Sequence, residues 1–199
     1  SKITDSKVPV IDILDGISAA TRYELGPVKV NCVVQRGVNE HQIPKLVRKF
    51  RGTGVIVRFI EFMDVGSTNG WTQGQVVPTS EIIDFLSSEF DLTPLARKSA
   101  SDVASRWAHS DGSGEIGFIS SVSQPFCGDC VRARLSSDGK FFTCLFTTIG
   151  HDMSALIRSG GNTEGLTLSI EGVWSARKDR YSEERSSGAI SLPRLEMSY

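Results

Sequence analysis

Three of the four cysteines in this 199-residue sequence lie close together along the chain, at Cys127, Cys130 and Cys144. Two residues separate the first pair, and thirteen separate Cys130 from Cys144. A C-x-x-C turn lets two thiolates approach a common metal ion, and Gly128 relieves the tight backbone between them. Four cysteines are too few for a disulfide framework, so the clustering favours a metal site in a reducing compartment.

The third cysteine joins the first two only if the residues between them form a β-hairpin of one register. Residues 131–146 predict such a hairpin, which turns at residues 137–139. With a three-residue loop, Arg132 lies opposite Cys144, and the alternation of side chains places Cys130 and Cys144 on one face. A two-residue Asp-Gly turn would put Cys144 on the other face. The metal hypothesis therefore requires the longer loop.

The residues alone leave the identity of the metal open. A structural zinc ion needs four closed ligands, and His151, seven residues after Cys144, is a candidate for the fourth. Three cysteines without a fourth ligand are typical of a 4Fe-4S cluster that keeps one iron open to a substrate. A third interpretation is an incidental pair of buried thiols. We favour the iron–sulfur cluster.

Two arginines follow the cysteine pair directly. Arg132 and Arg134 are separated only by Ala133, so on a strand their side chains point to the same side. Guanidinium groups match the oxygens of phosphates, and two of them beside a metal suggest an anionic substrate. The alternative is a solvated strand face on which Asp129 and Asp138 pair with the arginines.

The composition excludes several classes of protein. The sequence has 22 Lys and Arg against 23 Asp and Glu, a net charge of −1, which disfavours a globally basic nucleic-acid binder. Hydrophobic residues are 39% and charged residues 23%, both ordinary for a globular protein. No apolar run approaches the roughly 18 residues that a membrane helix needs. We therefore expect a soluble protein of one large or two small domains.

Hydrophobic periodicity predicts alternating helices and strands at the start of the chain. The predicted helices are residues 10–25, 40–51, 79–90, 152–159 and 163–178, and the predicted strands are residues 28–35, 55–62 and 115–123. Asn39 and either Thr79 or Ser80 are predicted helix caps. The order helix, strand, helix, strand implies parallel strands joined by right-handed crossovers. Residues 98–114 are a polar stretch, and residues 180–199 show no core periodicity.

Polar residues interrupt the first two predicted strands. In an α/β barrel, a parallel strand is apolar toward the helices and carries polar groups inside, near its carboxyl-terminal mouth. Three side chains fit that position: Lys29, Asn31 and Arg58. Each of them, taken alone, is more often half of an ion pair. Cys32 lies on the apolar face and is predicted to pack in the core, whereas Glu61 and Met63 lie at a strand end where ligand contacts concentrate.

Several segments together resemble the molybdenum cofactor biosynthesis protein A family, the radical S-adenosylmethionine GTP cyclases that make the pyranopterin precursor. The matching segments are residues 28–34, Asn39 and Glu40, residues 58–63, 126–135, 138–139, 144–146 and 179–182. The resemblance runs essentially from end to end. Its most specific part is the C-x2-C-x13-C signature followed directly by Arg-x-Arg.

The resemblance implies an α/β fold. Residues 1–75 would be the later strands of a partial TIM barrel of the radical S-adenosylmethionine type, and residues 76–199 an α+β iron–sulfur and GTP-binding region. The three clustered cysteines would ligate a 4Fe-4S cluster that binds GTP: Cys127, Cys130 and Cys144. GTP would also contact Lys29, Arg58, Arg132, Arg134 and the backbone of Ala133. Met63 would touch S-adenosylmethionine.

The implied activity is that of a GTP 3′,8-cyclase, a lyase. Reductive cleavage of S-adenosylmethionine gives a 5′-deoxyadenosyl radical, which abstracts the C3′ hydrogen of GTP. The ribose radical then attacks guanine C8, toward (8S)-3′,8-cyclo-7,8-dihydroguanosine 5′-triphosphate. The resemblance further implies a cytoplasmic homodimer whose product passes to cyclic pyranopterin monophosphate synthase, with neither nucleic acid nor membrane as a partner. No residue of this chain is assigned a catalytic role.

The sequence departs from the family pattern in two respects. It contains neither the CxxxCxxC loop, which holds a second 4Fe-4S cluster for S-adenosylmethionine, nor the terminal Gly-Gly. The resemblance thus implies a fragment, which we expect not to cleave S-adenosylmethionine by itself and to expose an aggregation-prone edge at its first strand. The alternative function is a non-catalytic, zinc-stapled module that binds nucleotide or RNA through Arg132 and Arg134.

Overall fold

The computed structural model describes residues 6–65 and 70–186. The chain forms two compact units. The first contains Ser1–Glu61, Val77–Lys98 and Ala104–Ser120, and the second contains Phe62–Val76, Ser99–Val103 and Ser121–Tyr199. The domain boundary predicted after residue 75 stays a prediction. Within the described ranges, every helix is too short or too polar to cross a membrane.

A mixed five-stranded sheet forms the centre of the first unit, with the strand order β1-β2-β5-β4-β3. Strands β1 (Lys29–Val34), β2 (Ile56–Glu61) and β5 (Glu115–Ile119) are parallel neighbours. Strands β4 (Ser105–His109) and β3 (Leu92–Leu95) extend the sheet in antiparallel orientation. The parallel pairing of β1 and β2 confirms the expectation from the helix–strand–helix–strand order. The sheet agrees with an α/β fold.

Strands β3 and β4 lie in segments for which the sequence predicts no strand. Strand β3 is at the edge of the sheet and contains Pro94, a residue that edge strands tolerate. Strand β4 lies inside the polar stretch, where Arg106 and Trp107 alternate between the two faces of the sheet. Because its residues are of mixed polarity, a search for apolar runs does not predict this strand.

Three helices belong to the first unit: α1 (Val10–Arg22), α2 (Ile43–Phe50) and α3 (Thr79–Ser87). A short 3-10 turn, Glu40–Gln42, precedes α2. Their apolar side chains pack on one face of the sheet in a core formed by Val34, Ile43, Val47, Phe50, Val55, Val57, Phe59, Val77, Ile82, Leu86, Phe90, Ile116 and Phe118. Cys32 packs against this core, as predicted.

The predicted cap at Asn39 is wrong. The Asn39 side chain makes no cap hydrogen bond. Its Nδ2 instead donates to the carbonyl oxygen of Val33 at 2.8 Å, and its Oδ1 accepts from the backbone N–H of Gln35 at 2.8 Å. Asn39 therefore folds the loop back onto the end of β1, a competing use that short polar side chains commonly make of the backbone.

The predicted cap at Thr79 or Ser80 is also wrong. Helix α3 begins after Pro78, without a side-chain cap from its own first turn. The carboxylate of Glu61, which is buried, accepts from the backbone N–H of Thr79 through Oε1 at 2.8 Å. Glu61 thus satisfies a helix N-terminus from the end of β2, where a carboxylate is favoured by the helix dipole. The sequence predicted a ligand contact there.

The second unit contains a small antiparallel sheet of β6 (Arg134–Leu135), β7 (Lys140–Phe142) and β8 (His151–Asp152). Three helices follow: α4 (Met153–Arg158), α5 (Thr163–Ser175) and α6 (Tyr181–Ser186). The first two agree with the predicted helices to within a few residues. Helix α6 lies in the charge-rich end of the sequence, for which no element is predicted, because it has no apolar stripe.

The hairpin of β6 and β7 has the register that the metal hypothesis requires. Arg134 pairs with Phe142 and Leu135 pairs with Phe141. Gly139 adopts a left-handed φ of 81°, as expected for a three-residue loop. The paired strands are shorter than predicted, but the same register continued by two residues sets residue 132 opposite residue 144.

Gly139 allows a direct test of this turn. A Cβ there would lie 2.6 Å from Ser154 Cβ, whereas a Cβ at Gly160, which also has a left-handed φ of 85°, would meet nothing within 4 Å. We expect Gly160→Ala to lower the free energy of unfolding by roughly 1–2 kcal/mol, the cost of the left-handed backbone alone. Gly139→Ala should cost about 2–4 kcal/mol because it adds the steric contact. Denaturant unfolding measures both, and equal losses would contradict the observed packing.

Candidate functional site

The C-x-x-C turn is held by one hydrogen bond within it and by two from Arg177. Cys127 and Cys130 are free and half-buried, and the backbone N–H of Cys130 donates to the carbonyl oxygen of Cys127 at 3.3 Å. The guanidinium of Arg177 donates through Nη1 to the carbonyl oxygen of Cys130 at 2.7 Å and through Nη2 to that of Cys127 at 3.2 Å. The side chain of Arg177, which follows α5, thus donates to the carbonyl oxygens of both cysteines.

The thiols of Cys130 and Cys144 have different electrostatic surroundings. Burial opposes ionisation of Cys130, but the backbone and side-chain hydrogen bonds of Arg132 and the charges of Arg132 and Arg177 outweigh it, so its pKa is lowered. Burial raises the pKa of Cys144, and the charges of Asp179, Cys127 and Cys130 add to that rise against one backbone hydrogen bond from Phe146. Cys130 is therefore the thiol that ionises more readily of the two.

The chemistry of these donors fits a soft, sulfur-bound metal centre. The charges of Cys127 and Cys130 act on Cys144, so the three thiols are electrostatic neighbours within the second unit. Thiolates select zinc and iron–sulfur clusters, and N–H donors to sulfur are typical surroundings for such centres. In residues 6–65 and 70–186, no three His, Cys, Asp or Glu side chains approach closely enough to hold a single metal ion. His151, the candidate fourth zinc ligand, lies exposed on β8 opposite Phe141.

Arg132, Ala133 and Arg134 are exposed beside the turn. The Arg132 guanidinium lies 5.0 Å from the centre of the Phe126 ring and hydrogen-bonds to the Cys130 thiol. The described ranges contain no ion pair of either arginine, and Asp138, a predicted partner, pairs with Lys140 at 2.8 Å instead. Two cations therefore lie exposed next to the thiols, and no carboxylate of the described residues neutralises them.

A second group of cations lies on the sheet of the first unit, on the face opposite the apolar core. The register sets Asn31 beside Arg58, and Arg58 Nε donates to Asn31 Oδ1 at 2.9 Å. The carboxylate of Glu115, on this face, accepts hydrogen bonds from Nε and Nη2 of Arg106 at 2.7 and 2.6 Å. In the part of the chain that the structure describes, neither Arg58 nor Lys29 forms an ion pair.

The position of Lys29 differs from the prediction. It is the first residue of β1, at the amino end of the strand, and not near the carboxyl-terminal mouth. Arg58 and Asn31 are third in their strands, so they too lie before the carboxyl end. The face of the sheet on which these three side chains lie was predicted correctly. Their position along the strands was not.

Sequence reasoning missed two residues that shape this face. Gly117 lies beside Arg58 in the sheet, and a Cβ there would come within 2.9 Å of Arg58 Cγ. Arg106 lies in the unpredicted strand β4 and binds the carboxylate of Glu115. A glycine in the interior of a strand often marks a close approach by another group, so Gly117 could have been singled out from the sequence. Nothing in the local sequence around Arg106 indicates its pairing.

Met63 belongs to the second unit and is half-buried. The next residue, Asp64, forms an ion pair with Arg185 and accepts from Tyr181 Oη at 2.7 Å. The structure therefore groups the clustered cysteines, the two arginines after them and Met63 in one unit, and Lys29 and Arg58 in the other.

Comparisons with known proteins give one consistent family. The profile of the family described as Molybdenum Cofactor Synthesis C matches residues 55–183. A protein of Xanthomonas campestris pv. campestris (strain B100) named GTP 3′,8-cyclase is 49% identical over 185 residues, which are 93% of this chain and 54% of the relative. A GTP 3′,8-cyclase of Acidothermus cellulolyticus is 43% identical over 190 residues, covering 94% of this chain and 52% of the relative.

A GTP 3′,8-cyclase of Staphylococcus aureus (strain JH9) is 42% identical over 190 residues, which are 95% of this chain and 56% of that protein. This chain thus spans about half the length of the curated relatives it matches. The family profile covers the strand β2, the whole cysteine signature and helix α5. The chain therefore belongs to the Molybdenum Cofactor Synthesis C family.

Proposed function

We propose that this chain is the GTP-binding, cluster-bearing part of a GTP 3′,8-cyclase of molybdenum cofactor biosynthesis. The observation that carries the proposal is the C-x-x-C turn, held by Arg177 and flanked by two exposed arginines that pair with no carboxylate of residues 6–65 and 70–186. The names of the relatives supply the reaction. The parallel strands β1, β2 and β5 support the further proposal that the first unit is the later part of a radical S-adenosylmethionine barrel.

Three thiolates would hold the resident 4Fe-4S cluster: those of Cys127, Cys130 and Cys144. When bound, the cluster supplies an open iron position for GTP. The N–H groups of Arg132 already donate to the Cys130 sulfur and favour its thiolate form. Cys144, whose pKa is raised by burial, gives up its proton only when a metal binds, so cluster assembly releases a proton there.

The cations would bind the triphosphate of GTP. Arg132 and Arg134 are exposed and can form charge-assisted hydrogen bonds, and the backbone of Ala133 lies between them. Asn31 occupies only the Nε of Arg58, which leaves both Nη groups for two oxygens of one phosphate. Lys29 adds a further positive charge on the same sheet face. In each unit, the proposed role of these cations is to neutralise and orient an anion.

The remaining parts of the reaction concern groups beyond this chain. We assign Met63 to contact S-adenosylmethionine, whose cleavage needs a second 4Fe-4S cluster held by a CxxxCxxC loop. This sequence lacks that loop, so the chain alone should bind GTP without cleaving S-adenosylmethionine. A cytoplasmic location, a homodimer and transfer of the product to cyclic pyranopterin monophosphate synthase belong to the same proposal. The comparisons lend no support to a zinc-stapled nucleotide- or RNA-binding module.

Cluster content tests the metal assignment. After anaerobic reconstitution, the chain should hold about four irons and four sulfides, by chemical analysis. Cys144→Ser should lose most of this content because it removes one of the three ligands. Cys32→Ser is the matched control, since Cys32 packs against the core of the other unit and should leave the content unchanged. A colourless protein that holds one zinc would contradict the assignment.

Nucleotide affinity tests the arginines. Arg134→Met in the anaerobically loaded chain should weaken GTP binding by about 10–100-fold, the loss expected for one charge-assisted contact. Arg158→Met is the control, because Arg158 is an exposed cation on α4, 70% accessible, and it should leave the affinity unchanged. Equilibrium dialysis measures both dissociation constants. Equal affinities for the two variants would remove Arg134 from the GTP site.

A further inference from the structure

The residues that follow helix α5 contact both loops that carry the clustered cysteines. Residues 177–185 supply four polar side chains that reach these loops: Arg177, Asp179, Arg180 and Glu183. We call this segment the clasp. None of these residues entered the site by sequence reasoning, because their partners lie far earlier in the chain.

Arg177 makes the most direct contacts of the clasp. Its two Nη groups donate to the carbonyl oxygens of Cys127 and Cys130, which fixes the separation of the two cysteine backbones. Its guanidinium also lies 4.6 Å from the centre of the Trp174 ring, one turn earlier on α5. A cation–π contact of this kind holds the side chain in one orientation. Arg177 is thus ordered by α5 and aimed at the turn.

Other residues of the clasp hold the turn and the second cysteine loop. Asp179 Oδ2 accepts from Thr143 Oγ1 at 2.5 Å, and Thr143 is the buried residue directly before Cys144. Glu183 Oε1 accepts from the backbone N–H of Gly128 at 3.2 Å, inside the C-x-x-C turn. The same nine-residue segment therefore binds the loops of all three clustered thiols.

A buried ion pair anchors the end of the clasp. Arg185 and Asp64 pair with side chains only 9% and 7% exposed, and Arg185 Nη2 also donates to the carbonyl oxygen of Ser121 at 3.2 Å. The Arg185 guanidinium lies 5.4–5.7 Å from the ring centres of three aromatic residues: Trp71, Phe146 and Tyr181. A charge pair desolvated in this way is strongly disrupted by the loss of either partner.

We propose that Arg177 is a positioning residue of the three-cysteine site, which holds the Cys127–Cys130 turn in shape for a cluster and keeps a positive charge beside it. The inference rests on the proposed function, since it assumes that the thiols hold an iron–sulfur cluster. Reduction makes a cluster more negative, so a nearby cation stabilises the reduced form and raises the midpoint potential. Arg177 therefore affects both the retention of the cluster and its potential.

Three variants of the anaerobically loaded chain test this role. Arg177→Met removes the donors and the charge, Arg177→Gln removes the charge but keeps an N–H donor, and Arg177→Lys keeps the charge. Arg158→Met is the control for loss of an exposed cation in the same unit. The readouts are the rate of iron loss to a chelator and the midpoint potential from a redox titration. Circular dichroism establishes that each variant is folded.

We expect Arg177→Met to lose iron at least several-fold faster than the parent chain, and Arg177→Gln to be intermediate. Both neutral variants should have a lower midpoint potential, whereas Arg177→Lys and Arg158→Met should match the parent. In the metal-free chain, hydrogen exchange of the peptide covering residues 126–135 should be faster in Arg177→Met, because the carbonyl of Cys130 loses its donor and the carbonyl of Cys127 loses one of its two donors. If Arg177→Met does not fold, the comparison of Arg177→Gln with Arg177→Lys decides.

Two failures are distinguishable. If the parent chain loads an iron–sulfur cluster but the neutral variants keep its iron retention and its potential, Arg177 has no positioning role and the proposed function stands. If Arg177→Lys shifts the potential as much as Arg177→Met, the charge is not the cause and the inference is overturned. If the parent chain binds no iron, the proposed function fails and this inference fails with it.

Discussion

The unit that carries the cysteines depends on the buried ion pair between Arg185 and Asp64. The extended apolar core of the described residues lies wholly in the other unit. Around the cysteines, short strands and short helices are joined instead by charged hydrogen bonds and by an arginine packed among aromatic rings. Loss of either partner would leave a desolvated charge, so this pair stabilises the end of the chain segment that contacts the cysteine loops.

One face of the larger sheet carries the apolar core, and the other carries the cations that we propose to bind GTP. The helices cover the apolar face, where aliphatic and aromatic side chains of β1, β2 and β5 form the core. The other face keeps its cations available because Arg106 neutralises Glu115, and because Gly117 leaves room for the stem of Arg58. A larger residue at position 117 would displace the stem of Arg58, and a free carboxylate on that face would pair with its guanidinium.

Local patterns predicted most of the longer elements and the hairpin, but not β3, β4, α6 or the pairings between distant residues. The alternation along β1 and β2 identified the core face, and the metal hypothesis required the three-residue loop that the hairpin has. The cap of α3 was mispredicted because Glu61 supplies it from 18 positions away. Arg177 and Arg185 were missed because their hydrogen-bond partners lie 47 or more positions earlier in the chain. Short-range periodicity cannot predict contacts at that separation.

We propose that Cys127, Cys130 and Cys144 together hold an iron–sulfur cluster. The most direct test is a crystal structure of the anaerobically loaded chain, with anomalous diffraction recorded above and below the iron absorption edge. We expect one compact iron signal bonded to all three sulfurs, with no protein ligand at the remaining iron. A zinc ion completed by His151, or an iron signal that is absent from the three sulfurs, would contradict it.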